Sequence, residues 1–337
     1  MPKKEDGTKA LKQKLASGAL CGIYLFTGEE AYGRKAAVDL IRKQFEADGM
    51  SEFNIQIFED KGQSVEAFRE AVESFPVMAD RKLVLIRNSG IFQSAGEEMK
   101  AFWQDLFKNP PEYLALVFDE EKTDGRSVLV KKVKESGLLV EFRYKTQAEL
   151  AQWAGKEFAK AGLQVQNDVL SQLVFSCDEG MENLSNEIQK LISYCAGKKT
   201  VEVTDVNLIV RKSLQSRIFE MLDAVVEKRK DAACRMLYEL KVYRESPVKI
   251  IALIGRQAGL LLKTALLLQE NRYQEVAKEI GVPPFIARKY VEQARGFSVA
   301  GIGEMLKSCL SADYSIKSGK VEEWTAMELL MSDLLSA

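Results

Sequence analysis

Histidine does not occur in the 337-residue chain. That absence removes Ser-His-Asp and Cys-His nucleophilic machinery, imidazole proton shuttles and every metal site that needs a histidine ligand. Hydrolytic chemistry would have to rest on carboxylates or lysines. Cysteine is scarce and dispersed: Cys21, Cys177, Cys195, Cys234 and Cys309 contain no C-x-x-C pair. A chain of this size needs no disulfide staples, so the thiols are expected to be reduced and to serve as small apolar residues. Neither sign of charge prevails, because 48 Lys and Arg face 49 Asp and Glu and leave a formal net charge of −1. With no global basic field, contact with nucleic acid requires a local patch or assembly with other subunits. No uninterrupted apolar run approaches the roughly 18 residues of a membrane span. Arg256 and Lys263 break the most apolar stretch, Ile250 to Leu268, and none in this half is expected to cross a bilayer. The basic start, Met1 to Lys14, followed by Leu15 to Leu20 and Cys21, has the outline of a lipoprotein signal. It is too short, and too interrupted by Ser17 and Gly18, for a signal h-region. A soluble cytoplasmic protein without metal or cofactor is the expectation.

What the chain does contain is enough apolar residue, 46%, to build two or three cores at about 150 residues per domain. Short apolar runs alternate with amphipathic stretches from residue 22 to about 144: Ile23 to Phe26, Phe53 to Phe58, Leu83 to Ile86, Leu114 to Phe118 and Leu138 to Phe142. Between them, Val65, Phe68, Val72 and Phe75 repeat at three- and four-residue spacing, which places all four on one helix face. This alternation predicts an α/β N-terminal domain with a mainly parallel sheet and helices on both faces. After Lys145 the strand signal stops. Thr146 to Lys160 opens with a capping-box spacing, Thr146 to Glu149, and Gly162 is placed to end the helix. Asn167 to Ser176, Met181 to Cys195 and Val203 to Val210 complete a small all-α module, and a second all-α block runs from Leu214 to Ala337. The expected domains are 1–144, 145–211 and 212–337.

Three segments bear on chemistry. Gly28-Glu-Glu-Ala-Tyr-Gly33-Arg34-Lys35 has the two-glycine spacing of a phosphate-binding loop between a strand and a helix. Arg34 stands where that motif has lysine and Lys35 where it has the Mg²⁺-ligating hydroxyl, while Glu29 and Glu30 bring negative charge to the place of an anion. An empty turn is favoured, with an active ATPase that uses Arg34 or Lys35 on phosphates and Asp119 on magnesium as the alternative. Phe118-Asp119-Glu120 ends a strand and is read chiefly as a solvated terminus. Val276 to Tyr290, with Gly281 at a turn and basic residues beyond it, has the outline of a DNA-reading helix-turn-helix. Val276, Ile280, Phe285 and Ile286 would serve a helical core equally well. Finally, Pro76 disfavours helix at Phe75 and has no N–H of its own. The consecutive Phe75, Pro76, Val77 and Met78 then fall on a connection, either buried beneath the sheet or presented as an apolar plug for a partner's pocket.

Taken in order, several segments resemble the delta subunit of the bacterial DNA polymerase III clamp loader: Tyr24-Leu-Phe-Thr-Gly-Glu-Glu30, Phe75-Pro-Val-Met-Ala-Asp-Arg-Lys82, Leu184-Ser-Asn-Glu-Ile-Gln-Lys190, Phe219-Glu-Met-Leu-Asp-Ala224, Arg256-Gln257, Val276-Ala-Lys-Glu-Ile-Gly-Val282 and Ser311-Ala-Asp-Tyr-Ser-Ile-Lys317. The resemblance implies an AAA+-like N-terminal domain that does not hydrolyse ATP, a helical lid, and a helical collar that joins other loader subunits in a ring. It implies no catalytic activity of the chain's own within the polymerase III holoenzyme, and primed DNA as a partner of the assembly. It also makes the Val276 to Tyr290 segment part of the collar. In that family a hydrophobic pair before the third strand enters a pocket on the sliding clamp (beta). The matching positions are Val77 and Met78, adjoined by Phe75 and Pro76. Lys317 and Lys320 are read as a solvated helix end before any contact with DNA phosphate.

Overall fold

The computed structural model describes residues 7–47, 51–177, 180–282 and 284–336. Residues 1–6 of the basic start, Pro283, and the side chain of Phe285 lie outside the described residues. The chain forms two compact units, Met1–Tyr144 and Lys145–Ala337.

In the first unit the elements are α1 (Gly7–Ser17), β1 (Gly22–Thr27), α2 (Ala31–Glu46), α3 (Ser51–Asn54), β2 (Ile55–Glu59), α4 (Val65–Glu73), β3 (Lys82–Arg87), α5 (Glu97–Leu106), β4 (Leu114–Glu120), α6 (Val128–Ser136) and β5 (Leu138–Glu141). All strand pairings are parallel, and the five strands lie in the order β2-β3-β4-β1-β5. The central strands are apolar at successive positions because both sheet faces are covered. Tyr24, Phe26, Leu83, Leu85 and Val117 meet Val38, Ile41 and Phe45 of α2 on one face. Ile23, Leu25, Val84, Ile86, Leu116 and Phe118 meet Phe68, Trp103 and Val130 on the other. This is the α/β domain with a parallel sheet covered on both faces that the alternation of runs predicts.

Two local expectations need correction. Phe53 and Asn54 do not begin a strand; they belong to the short helix α3, and β2 starts at Ile55. Phe75 does not extend the buried face of α4. That helix ends at Glu73, and Ser74 is already extended at φ −65°, ψ 137°, two residues ahead of Pro76. The helix therefore stops one residue earlier than the restriction that Pro76 places on Phe75.

The second unit comprises α7 (Gln147–Lys160), β6 (Gln164–Val165), α8 (Asn167–Ser176), α9 (Met181–Tyr194), β7 (Thr200–Val201), α10 (Val203–Ile209), α11 (Leu214–Val226), α12 (Lys230–Val242), α13 (Pro247–Gln269), α14 (Val276–Ile280), α15 (Pro284–Arg295), α16 (Val299–Lys317) and α17 (Glu323–Ser336). Thr146 and Glu149 form the capping box at α7, and Gly162 follows that helix at φ 76°. The strands β6 and β7 form a parallel pair where no strand was expected. One apolar cluster gathers Phe158, Leu173, Leu184, Ile188 and Leu191 from α7 to α9. Another gathers α11 to α17 around Ile250, Ile254, Ala258 and Leu261 of α13. At 23 residues, α13 is long and apolar enough to cross a bilayer by length and composition, against the expectation from its two charges. Half of its most apolar window is buried in this core.

Candidate functional site

The connection from α4 to β3 carries the two most exposed large apolar side chains among the described residues of the first unit, Phe75 at 79% and Met78 at 85%, with Val77 between them 46% exposed. Pro76 is partly buried. The reading of these side chains as buried beneath the sheet is therefore excluded for Phe75 and Met78. Their backbone is held from several elements. The buried Asn54 of α3 turns both ends of its carboxamide to Val77: Oδ1 accepts from the Val77 N–H at 2.7 Å, and Nδ2 donates to the Val77 carbonyl at 2.9 Å. At the base, the Lys82 ammonium donates to the Ser74 carbonyl at 3.1 Å and to Ser74 Oγ at 2.8 Å. Tyr113 donates its hydroxyl proton to the Glu73 carbonyl at 2.9 Å, and its ring lies 5.3 Å from that of Phe75. On the far side, Arg81 donates to the Gly18 carbonyl at 2.8 Å and sits over the Phe45 ring. Met78 turns the chain in the left-handed region at φ 50°.

Electrostatics reinforce this bracing. The last carbonyls of a helix have no partner within it and carry partial negative charge, so a cation beside them is favourable. Lys82, at 2% exposure, supplies one to α4. Burial lowers its pKa from the ordinary lysine value. Desolvation, with a contribution from the Glu73 carboxylate, raises that of Tyr113.

The glycine segment at the end of β1 is built in the opposite sense. The helix α2 begins at Ala31, so Gly33, Arg34 and Lys35 lie within its first turns instead of in an open phosphate cradle. Gly28 adopts φ 116°, and a Cβ there would run into the carbonyl oxygen of Phe142; at Gly33 it would come within 2.8 Å of the Phe142 ring. Glu30 caps α2, its carboxylate accepting from the Tyr32 N–H at 3.2 Å. Helix N-termini attract anions, and here a carboxylate of the chain itself occupies that position. Arg34 turns inward, donating through Nε to Asp119 Oδ1 at 2.7 Å and through Nη1 to the Gly28 carbonyl. Lys35 faces solvent. The Arg34–Asp119 pair is nearly enclosed, with side-chain exposures of 9% and 16%.

The expectation of a solvated terminus at Asp119 and Glu120 is thus corrected. Glu120, 1% exposed, accepts from the Ser89 N–H at 2.9 Å, from the Gly90 N–H at 3.2 Å and from the Ser89 hydroxyl. Desolvation raises its pKa above the usual carboxylate value, opposed by those hydrogen bonds. Its work is to join the end of β4 to the turn after β3.

The helix-turn-helix outline appears as α14, a left-handed Gly281 and α15. Val276, Ile280, Ile286 and Tyr290 are buried in the core around α13. Lys289 donates to Gln172 Oε1 at 2.6 Å and lies over the Phe175 ring. This basic residue is occupied within the unit. At the end of α16, Lys317 pairs with Asp313 at 2.6 Å and remains largely exposed.

Asn54 and Tyr113 belong to no motif and reach the tip from 23 and 40 residues away, while Lys82 closes the Phe75 to Lys82 segment without its contact to Ser74 being legible there. The sequence carried no signal for Asn54: its burial at 3%, beside Phe53 at 59% exposure, is visible only in the folded chain.

Residues 24–143 match the family described as DNA polymerase III, delta subunit, and residues 215–334 the family described as DNA polymerase III delta subunit, C-terminal domain. The chain is similar to DNA polymerase III subunit delta of Bacillus subtilis (strain 168), 25% identical over 333 residues that cover 96% of this chain and 95% of that protein. It is also similar to a probable DNA polymerase III subunit delta of Aquifex aeolicus (strain VF5), 23% identical over 258 residues covering 74% and 72%. Among solved structures, the Bacillus subtilis DNA clamp loader delta protein superposes with a TM-score of 0.58 at 23% identity, covering 98% of this chain and 99% of that one, which shows a shared fold.

Proposed function

Since the chain belongs to the DNA polymerase III delta subunit family, we propose that it docks on the sliding clamp through Phe75, Pro76, Val77 and Met78 and promotes ring opening without hydrolysing ATP. The observation that carries this reading is the exposed apolar tip on a backbone braced at Val77 and Ser74. Exposed apolar side chains on a fixed backbone lose little conformational freedom on entering a pocket, so more of the burial free energy remains as affinity. The domain acts on the ring only through differential affinity: it must bind the opened clamp better than the closed one.

The inward-turned Arg34 and the carboxylate at the start of α2 support an inert glycine segment. ATP would then act through other subunits. Residues 145–211 serve as a lid and 212–337 as a collar that joins those subunits, with primed DNA met inside the cytoplasmic assembly. Packing of Val276, Ile280 and Tyr290 into the core argues against independent sequence reading by α14 and α15.

The test is calorimetric titration of the full chain with its cognate clamp. Val77→Ala combined with Met78→Ala removes apolar burial worth about 2–4 kcal/mol, or roughly 30- to 1000-fold in affinity. Wild-type affinity in that variant would overturn the site. Titration with ATP and Mg²⁺ should give no micromolar binding.

A further inference from the structure

We propose that Asn54 is the positioning residue of the docking tip, setting its affinity for the clamp without touching the clamp. This rests on the reading that the tip is the clamp-binding element. Asn54 is 3% exposed, and buried polar groups are normally satisfied wherever partners are available. What distinguishes it is where both bonds end. They fall on the N–H and the carbonyl of one residue, Val77, whose own side chain is 46% exposed. The carboxamide thus acts as a one-residue strand neighbour, donating and accepting side by side. Lys82 and Tyr113 hold the base of the tip at Ser74 and Glu73. Among the described residues, Asn54 alone contributes side-chain hydrogen bonds to the apolar stretch from Phe75 to Met78.

The next residue explains the need. Met78 lies in the left-handed region at φ 50° without being glycine, a conformation that persists only where neighbouring structure over-determines it. Freed from Asn54, the Val77–Met78 backbone would relax into extended conformers in which the two side chains no longer project together. Apparent affinity falls by the fraction of chains that retain the binding-ready form. A fall to roughly one chain in ten weakens binding about tenfold. Such a loss belongs to the association rate, because molecules that do bind form the same complex and leave it at the same rate.

The experiment is surface plasmon resonance of the full chain on immobilised cognate clamp, with far-UV circular dichroism confirming an intact fold. Asn54→Ala should slow association about tenfold and leave dissociation unchanged, whereas Val77→Ala with Met78→Ala should mainly speed dissociation. Asn54→Asp keeps the acceptor for the Val77 N–H and loses the donor to its carbonyl, and should fall between Asn54→Ala and wild type. It carries the same test if Asn54→Ala does not keep the wild-type spectrum. Unchanged association in the Asn54 variants, with binding lost in the Val77/Met78 variant, overturns the positioning role and leaves the docking reading standing. Unchanged binding in all of them overturns the docking reading itself.

Discussion

Two connections of the first unit, the glycine segment after β1 and the apolar segment before β3, treat their polar groups in opposite ways. In a parallel sheet they lie at opposite edges, one at the carboxyl ends of the strands and the other at the amino ends. Ligands of open α/β sheets ordinarily bind at the carboxyl edge. Here the chain fills that place itself: Glu30 sits at the start of α2, Arg34 pairs with Asp119, and Phe142 closes over both glycines. At the amino edge the polar groups of Asn54, Lys82 and Tyr113 are turned to the backbone, and Phe75 and Met78 are left to solvent. The first arrangement stabilises one domain; the second stabilises one presentation of a surface. Substitutions in the first should therefore appear in folding free energy, and in the second in partner affinity.

The largest expected effect is Gly28→Ala. The position combines φ 116° with a Cβ path blocked by the Phe142 carbonyl. Strain of this kind and overpacking each cost about 1–3 kcal/mol, so urea unfolding should report a loss of about 3 kcal/mol or more. At temperatures where the variant remains folded, its clamp affinity should equal wild type. A matching loss of affinity in folded protein would break the separation of the two edges.

Next comes the ion pair. Asp119→Ala leaves the Arg34 guanidinium enclosed with, among the described residues, only the Gly28 carbonyl as partner. Removing one member of a buried pair costs about 3 kcal/mol, whereas replacing both members by apolar residues of similar volume is often close to neutral. Asp119→Ala should thus lower the urea midpoint clearly, and Arg34→Met with Asp119→Leu should recover most of the loss. ATP binding in either variant would show that the pair had been blocking a competent nucleotide site, and the structural reading of that edge would fail.

Much of this was legible in the residues, for identifiable reasons. The runs at Ile23, Leu83 and Leu114 became central strands because covered faces demand successive apolar positions. The run at Phe53 misled because β2 is an edge strand, where only part of each residue is buried and the chain can finish a helical turn first. Strands β6 and β7, two residues each, are too short to show any period. The apolar tip was visible as four consecutive residues after a helix pattern. Its supports were not, since Asn54 acts across 23 residues of sequence and Tyr113 across 40. Arg34 and Asp119 both stand out in the sequence, but their ion pair does not, because a gap of 85 residues leaves pairing to the register of β1 on β4.

The smallest expected effect separates the two buried cations. Arg34 has a carboxylate partner; Lys82, among the described residues, has only the neutral oxygens of Ser74. A buried charge without a counter-charge repays little of its desolvation, which is why the pKa of Lys82 is lowered. Lys82→Met should accordingly change folding stability by less than about 1 kcal/mol, while clamp affinity falls a few-fold because the base of the tip loses its clip. The sign of the pH dependence follows from linkage. Between the lowered folded pKa and the ordinary lysine value of 10.5, the unfolded chain binds more protons than the folded one, so stability rises with pH in that window. The wild type should therefore gain stability over Lys82→Met as pH climbs toward 10.5, a difference that thermal melts across the alkaline range would register. A gap that narrows instead would mean that the lysine is favoured in its charged form, and the base of the tip would then belong with the Arg34 type of site.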